Sequence, residues 1–559
     1  VIVAHLSHHD GCLADFAYVA SELDLEVRPY HFDDGYNIGA ERAHRAWQRW
    51  RERLCAADVV LVSDTAPLAR MVLENLDEYP GHLVIWVCNR FDYADQANND
   101  CGFPDPAYYE LLRRATGHER VHIAAYTPFE IVYARAKGVE LGRRVIKPVG
   151  RRLPGRQATR APSELGGGAD FYVPAYHNET RFMDLVARCE ALGASAWCGR
   201  YDEPEELRVF RAIVQLPYAW STFAFFERLA LAIPTFIPSP RLLLELRRQP
   251  NYYWADPERL DELLPLSEWY TPDHDGLLVQ FDSFEELGEK LRELDLEPVR
   301  AALRTHAERH TIRTLAAWSE LFDEIAPDPV RRLRPYRQPL EAHNDSPEGL
   351  PSRFASLSFA FEHLRRTGGR TVVELGTMRS YVHGGLEGCN EDDPSLWRPD
   401  APERWDWGAG CFTLLAALCL PDAEIHTVDA ASGHIERCRV MTADHASRIR
   451  YHVGDSAEFL RAQTPGTLDL VYLDTGDMWP VEPTARQQLA EAEVVWEQRL
   501  LAPDGLLLID DVGNPTPRRF GDDSPYGKAK YSLPYLLEQG FEIVFEGYQV
   551  ALRPPARRA

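Results

Sequence analysis

The chain has 559 residues, 45% hydrophobic and 26% charged, and a formal net charge of −25. That length accommodates three or four domains with buried cores of their own, and the acidic balance argues against a chain that coats DNA or RNA, which needs clustered cations. There is no apolar run long enough for a transmembrane helix, no basic n-region or cleavage site at Val1–Leu6, and no CxxC pair among the 10 cysteines, a pattern expected of a cytoplasmic protein without a structural zinc site.

The first third alternates apolar runs with amphipathic segments. Val1–Leu6, Glu26–His31, Val59–Ser63, Leu83–Val87 and Val121–Ala125 read as strands, and Ala40–Ala56 as a helix. Strand–helix alternation predicts a parallel sheet, with any ligand at the carboxyl ends of its strands. Several polar groups stand at those ends: His8-His9-Asp10-Gly11, Asp33–Asn37, Ser63–Thr65 and Cys88–Asp92. Turns favour Asp, Asn and Gly on conformational grounds as well.

A basic, Pro- and Gly-rich stretch, Arg143–Gly168, reads as a linker or flexible loop. A second α/β unit runs from about Asp170 to Pro327, and Pro327–Pro351 separates it from a third. The expected architecture is α/β with three Rossmann-like domains, at residues 1–150, 151–330 and 353–559, and a linker at 331–352.

The third unit carries the clearest chemistry. Thr371–Thr377 is a strand ending in Glu374-Leu-Gly376, and Gly408-Ala-Gly410 precedes a helix at Cys411–Cys419. Glycine at a strand end lets backbone approach a ligand closely. Glu424–Val428 ends in Asp429, an acid suited to ribose hydroxyls. Ile449–Val453 is followed by Gly454-Asp455-Ser456, Leu468–Leu473 by Asp474, and Gly505–Ile509 by Asp510-Asp511. This ordered series resembles class I S-adenosylmethionine-dependent methyltransferases over about Phe354–Leu552. The resemblance implies that Glu374, Gly376 and Gly410 surround the methionine part of the cofactor, that Asp429 holds the ribose, and that Asp455 and Ser456 border the adenine.

Three acids at neighbouring strand ends repel one another unless a cation lies between them. Oxygen ligands suit Mg²⁺ or Mn²⁺. Asp474, Asp510 and Asp511 therefore resemble the metal ligands of the cation-dependent O-methyltransferases. Many of those enzymes carry a Lys or His base three residues after the first aspartate; this chain has Asp477 there. Asp477 is a base, a further ligand or neither, and His383 or Tyr381 in the long Met378–Trp407 segment is the alternative base. The three acids also have a plain reading as helix caps and solvated loops.

Farther back, Gln215–Phe236 contains Ala219-Trp220-Ser221-Thr222, then Glu227 and Leu229-Ala-Leu-Ala232-Ile-Pro234. This resembles the donor half of GT-B glycosyltransferases. The resemblance implies that Ser221 and Thr222 cap a helix facing the nucleotide-sugar diphosphate, and that Glu227 holds the donor ribose. Lys147 or Arg200 would contact the diphosphate. Gly11, at the strand end on the acceptor side, would also bind the nucleotide-sugar, with His9 or Asp10 as base in an inverting enzyme. Two positions depart from the family: Ala219 replaces a second glutamate, and Ala232 the usual glycine. The combined expectation is a bifunctional glycosyltransferase and sugar O-methyltransferase. Its substrates would be a nucleotide-sugar and a glycan, lipid-linked glycan or small glycosylated acceptor, with no nucleic acid and with peripheral membrane contact allowed. The alternatives are a methyltransferase carrying an inactive glycan-binding module, and one acting on a small natural product.

Overall fold

The computed structural model describes residues 1–32, 39–93, 104–153, 168–175, 177–255, 258–342, 350–377, 399–400, 402, 410–476, 480–513 and 524–556. The chain forms two compact units, Val1–Leu321 and Phe322–Ala559. Among the described residues no helix is long and apolar enough to cross a membrane.

The first unit holds two five-stranded sheets. One contains β1 (Ile2–Ser7), β2 (Glu26–His31), β3 (Val59–Val62), β4 (His82–Val87) and β5 (Val121–Ala125), in the order β2-β1-β3-β4-β5. The other contains β6 (Phe171–Val173), β7 (Ala196–Cys198), β8 (Ala212–Val214), β9 (Thr235–Pro238) and β10 (Val279–Phe281), in the order β10-β9-β8-β6-β7. Every pairing in both sheets is parallel. Position in the sheet follows from composition. The central strand β3, Val-Val-Leu-Val, is buried throughout, as a strand covered on both faces must be. Edge strand β2 has only exposed and half-buried residues and tolerates Pro29, whose missing N–H costs least at an edge.

Contacts among the described residues join these two layers, Phe129 stacked on Trp220 at 3.9 Å among them. Asp15, on α1 (Asp10–Leu23), accepts hydrogen bonds from the backbone N–H groups of Val149 (3.2 Å) and Gly150 (2.7 Å). Gly150 has φ +72°, and a Cβ there would stand 2.3 Å from the carbonyl oxygen of Phe226, a residue of α2 (Phe223–Ala230). Helix α3 (Glu297–Ile325) brings Trp318 back to the first sheet, edge-on to Trp86 at 5.3 Å and to Phe16 at 5.1 Å.

The second unit is one seven-stranded sheet of β11 (Thr371–Leu375), β12 (Glu424–Asp429), β13 (Ile449–Val453), β14 (Leu468–Leu473), β15 (Leu501–Ile509), β16 (Glu542–Glu546) and β17 (Val550–Arg553). The order is β13-β12-β11-β14-β15-β17-β16. The first five strands pair in parallel, and β17 is antiparallel to both neighbours. Helices α4 (Arg353–Thr367) and α5 (Cys411–Cys419) pack on one face, burying Leu357, Phe361, Phe412 and Leu415 with Tyr472 and Leu508. Helices α6 (Ser456–Arg461) and α7 (Val481–Glu497) contribute Leu460 and Val495 to the opposite core. The stretch expected as a linker at 331–352 is helical over Pro329–Leu333 and Arg337–Ala342, and Leu333 and Leu340 join the core beneath α4.

Candidate functional site

In the second unit the carboxyl ends of β11, β12, β14 and β15 bring the predicted residues to one edge. Gly376 follows β11 with φ +85°; a Cβ there would stand 2.5 Å from the Asp474 carbonyl oxygen and 2.6 Å from Thr475 Cα. Only glycine allows the ends of β11 and β14 to cross this closely. Gly410 has φ +88°, and its N–H donates to Thr377 Oγ1 at 2.9 Å. That bond ties the start of α5 to the end of β11.

Glu374 is buried, and its carboxylate accepts from the hydroxyls of Thr413 on α5 and Thr427 on β12, the latter at 2.7 Å. Burial pushes its pKa up to about 7, against the hydroxyls that favour the ionised form. Asp429 Oδ1 accepts from the Ala431 N–H (2.7 Å) and from His434 Nδ1 (3.1 Å). Asp455 caps α6 by accepting from the Glu458 N–H at 2.8 Å. The Ser456 hydroxyl donates to Glu491 and accepts from Gln487 Nε2 at 3.0 Å. Thr475 also donates to Glu491, at 2.6 Å. Asp455 and Ser456, expected beside an adenine, thus both make bonds within the fold.

Asp474, Asp510 and Asp511 converge as expected: one ligand oxygen of each lies within 4.8 Å of the others, and all three residues are buried. The cations beside them are the chain's own. Lys528 Nζ donates to Asp474 Oδ1 and reaches Asp511 Oδ2, both at 2.8 Å, and donates to the Gly476 carbonyl at 3.2 Å. The Arg353 guanidinium bridges Asp510 (3.0 Å) and Asp511 (3.2 Å). Burial works against ionisation of Asp511, yet Lys528 and Arg353 hold its carboxyl well below the usual range. Tyr472 donates to Asp510 at 2.7 Å, Gln549 Nε2 to Asp510 at 3.0 Å, and Tyr548 to Asp511. As arranged, these residues do not fit a resident divalent ion, because its position is held by an ammonium. Sequence reasoning recognised that a cation was needed and missed Lys528 and Arg353. The candidate bases Asp477, His383 and Tyr381 lie outside the described residues.

The first unit has a cleft of about 320 Å³ between its two sheets, lined by His9, Asp64, Arg90, Glu130, His177 and the segment Tyr218–Phe223 among others. Strand ends of both sheets open onto it, the expected place for a ligand. The hydroxyls of Ser221 and Thr222 are buried there and have no hydrogen-bond partner among the described residues. Thr222 holds the N-cap position of α2, but its side chain makes no cap bond, so the expected capping role is not performed. Burial pushes the Glu130 carboxyl up to about 8.

Other predicted residues lie elsewhere. Glu227 is buried on α2 and accepts from Arg152 Nε (3.0 Å) and Nη2 (2.6 Å). Lys147 bonds Glu268 at 2.9 Å. Arg200 and Asp10 are exposed and are not among the cleft-lining residues; Asp10 is 3.6 Å from His31 Nε2. A Cβ on Gly11 would meet the His9 ring at 2.7 Å and Phe223 at 3.0 Å, so Gly11 serves the close approach of α1 to α2. Asp33–Asn37 lie outside the described residues.

No protein-family model and no curated protein matches the chain. Solved structures do. An S-adenosylhomocysteine-bound methyltransferase, PaMTH1 of Podospora anserina, is 15% identical with a TM-score of 0.26, over 39% of this chain and 87% of its own. Cofactor-bound Rv0187 from MTB is 20% identical with a TM-score of 0.24, over 43% and 98%. A methyltransferase from Geobacter sulfurreducens is 18% identical with a TM-score of 0.23, over 43% and 96%. The geometry of the strand ends, not these likenesses, carries the functional reading.

Proposed function

We propose that residues 353–559 are an S-adenosylmethionine-dependent O-methyltransferase, with a sugar hydroxyl as its acceptor. The observation that carries this reading is the carboxyl edge of the seven-stranded sheet, where Gly376 and Gly410 leave bare backbone beside the acidic strand ends Glu374 and Asp429. Bound there, the cofactor supplies a methyl group made electrophilic by its sulfonium. The protein's own residues provide the cradle. Gly376 and the Thr377–Gly410 bond hold the end of β11 close to the start of α5. The Ala431 N–H and His434 fix Asp429 through Oδ1, and a ribose hydroxyl would donate to this carboxylate. The divalent cation expected from the three aspartates is not part of this proposal. Calorimetry with S-adenosylhomocysteine tests it: one site, weakened by Asp429→Ala, is expected, and no binding by the intact protein refutes it.

We infer further that the first unit is a GT-B-like module that takes a nucleotide-sugar, with a glycan, lipid-linked glycan or small glycosylated molecule as acceptor. Its support is the cleft between two parallel sheets, with two hydroxyls that have no partner among the described residues, Ser221 and Thr222, at the positive end of α2. A second reading, a glycan-binding module without transfer activity, is favoured by the pairs Arg152–Glu227 and Lys147–Glu268, which engage side chains expected at the donor. Calorimetry with UDP, GDP, ADP and TDP separates the two. One preferred nucleotide, weakened by Ser221→Ala with Thr222→Ala, supports transfer; no nucleotide binding supports the binding module.

A further inference from the structure

We infer that the ammonium of Lys528 permanently takes the place of a divalent cation among Asp474, Asp510 and Asp511, so that this centre operates without a metal. The argument begins with donors and acceptors. An ammonium has three N–H donors, and Lys528 faces three acceptors: Asp474 Oδ1, Asp511 Oδ2 and the Gly476 carbonyl. The other carboxylate oxygens also have protein donors. Asp510 Oδ1 accepts from its neighbour's N–H at 2.8 Å and from Gln549 at 3.0 Å. Asp510 Oδ2 accepts from Tyr472 (2.7 Å) and Arg353 (3.0 Å), and Asp511 Oδ1 from Arg353 (3.2 Å) and Tyr548. Asp474 Oδ2 accepts from Tyr472 at 3.3 Å. A hard divalent ion needs about six oxygens at roughly 2.0–2.6 Å. It would have to strip these donors from the carboxylates and expel a buried ammonium.

The backbone is shaped to deliver the lysine. Gly527 has φ +52°, and a Cβ there would stand 2.3 Å from the Asp511 carbonyl oxygen. Asp511 itself has φ +58°, a left-handed conformation that costs a non-glycine residue about 1 kcal/mol or more. The Gly527–Ala529 turn thus packs directly against the Asp511 backbone and seats Lys528, which is 1% exposed. Two cations, Lys528 and Arg353, thus stand among the three acids. Lys528 spends its donors inside the fold, so it is a positioning residue. If the methyltransferase reading holds, an acceptor here need not present two neighbouring oxygens to a chelated metal, and a single hydroxyl suffices.

The test is Mn²⁺ uptake by the full chain, read by the electron paramagnetic resonance of free Mn²⁺, with S-adenosylhomocysteine calorimetry on the same sample. Wild type is expected to take up no stoichiometric Mn²⁺ up to about 1 mM. Lys528→Met, which removes the ammonium from Asp474 and Asp511, is expected to melt at lower temperature, to bind one Mn²⁺ and to regain stability with it. Wild type binding one Mn²⁺ that Asp511→Asn removes would overturn the inference, whether or not Lys528→Met folds. So would a folded Lys528→Met that takes up no Mn²⁺. Absence of homocysteine-cofactor binding would sink the methyltransferase reading alone and leave the cation result standing.

Discussion

Replacing Glu374 by Gln should make the second unit more stable at pH 8 and change little at pH 4.5. Glu374 is 3% exposed, and its pKa rises from the ordinary 4.5 to about 7 because burial penalises the charge. At 1.36 kcal/mol per pKa unit, the ionised carboxylate costs the fold about 3 kcal/mol. The sign follows from proton binding. Between pH 4.5 and 7 the folded state holds a proton that the unfolded state has released, so stability is fully present below 4.5 and is lost as pH rises through 7. A glutamine carbonyl can accept from Thr413 and Thr427 as the carboxylate does, and it carries no charge to bury. Hydrogen exchange at the β11 and β12 amides reads this unit by itself. Variant and wild type should exchange alike at pH 4.5, and the variant roughly 100-fold more slowly at pH 8. A difference that does not change with pH would refute the reasoning.

Gly376→Ala meets the backbone of Asp474 and Thr475, which cannot yield as a side-chain tip can; thermal unfolding should show a loss of about 2 kcal/mol or more, and calorimetry a loss of S-adenosylhomocysteine binding. Ala232 holds φ +55° where the resembling family has glycine, so Ala232→Gly should raise the melting temperature of the first unit, by relief of about 0.5–1 kcal/mol. His5 is fully buried, and desolvation lowers its pKa from 6.5 to about 3. The unfolded chain therefore binds the extra proton first as pH falls below 6.5, and wild type should lose about 2 kcal/mol between pH 7 and pH 5 on this account. His5→Leu should lose that much less over the same interval in urea titrations, and equal losses would count against it.

The strands of this protein are legible because their signal is local. A parallel strand covered on both faces must be a short apolar run, and Val59–Val62 and Leu468–Leu473 are such runs. The residue after such a run lies at the carboxyl edge wherever the strand sits in the sheet, so Gly376, Asp429, Asp474 and Asp510 could be named without knowing strand order. Strand order, the antiparallel return of β17, and the partners of each charge depend on pairings made across the fold. Asp474 meets a lysine 54 residues away, Asp510 an arginine 157 residues away, and Asp15 a backbone amide 135 residues away. Charge repulsion in the sequence required a cation among the three aspartates. That the cation is Lys528 was decided by tertiary structure, because only the folded chain packs the backbone of Gly527 against that of Asp511.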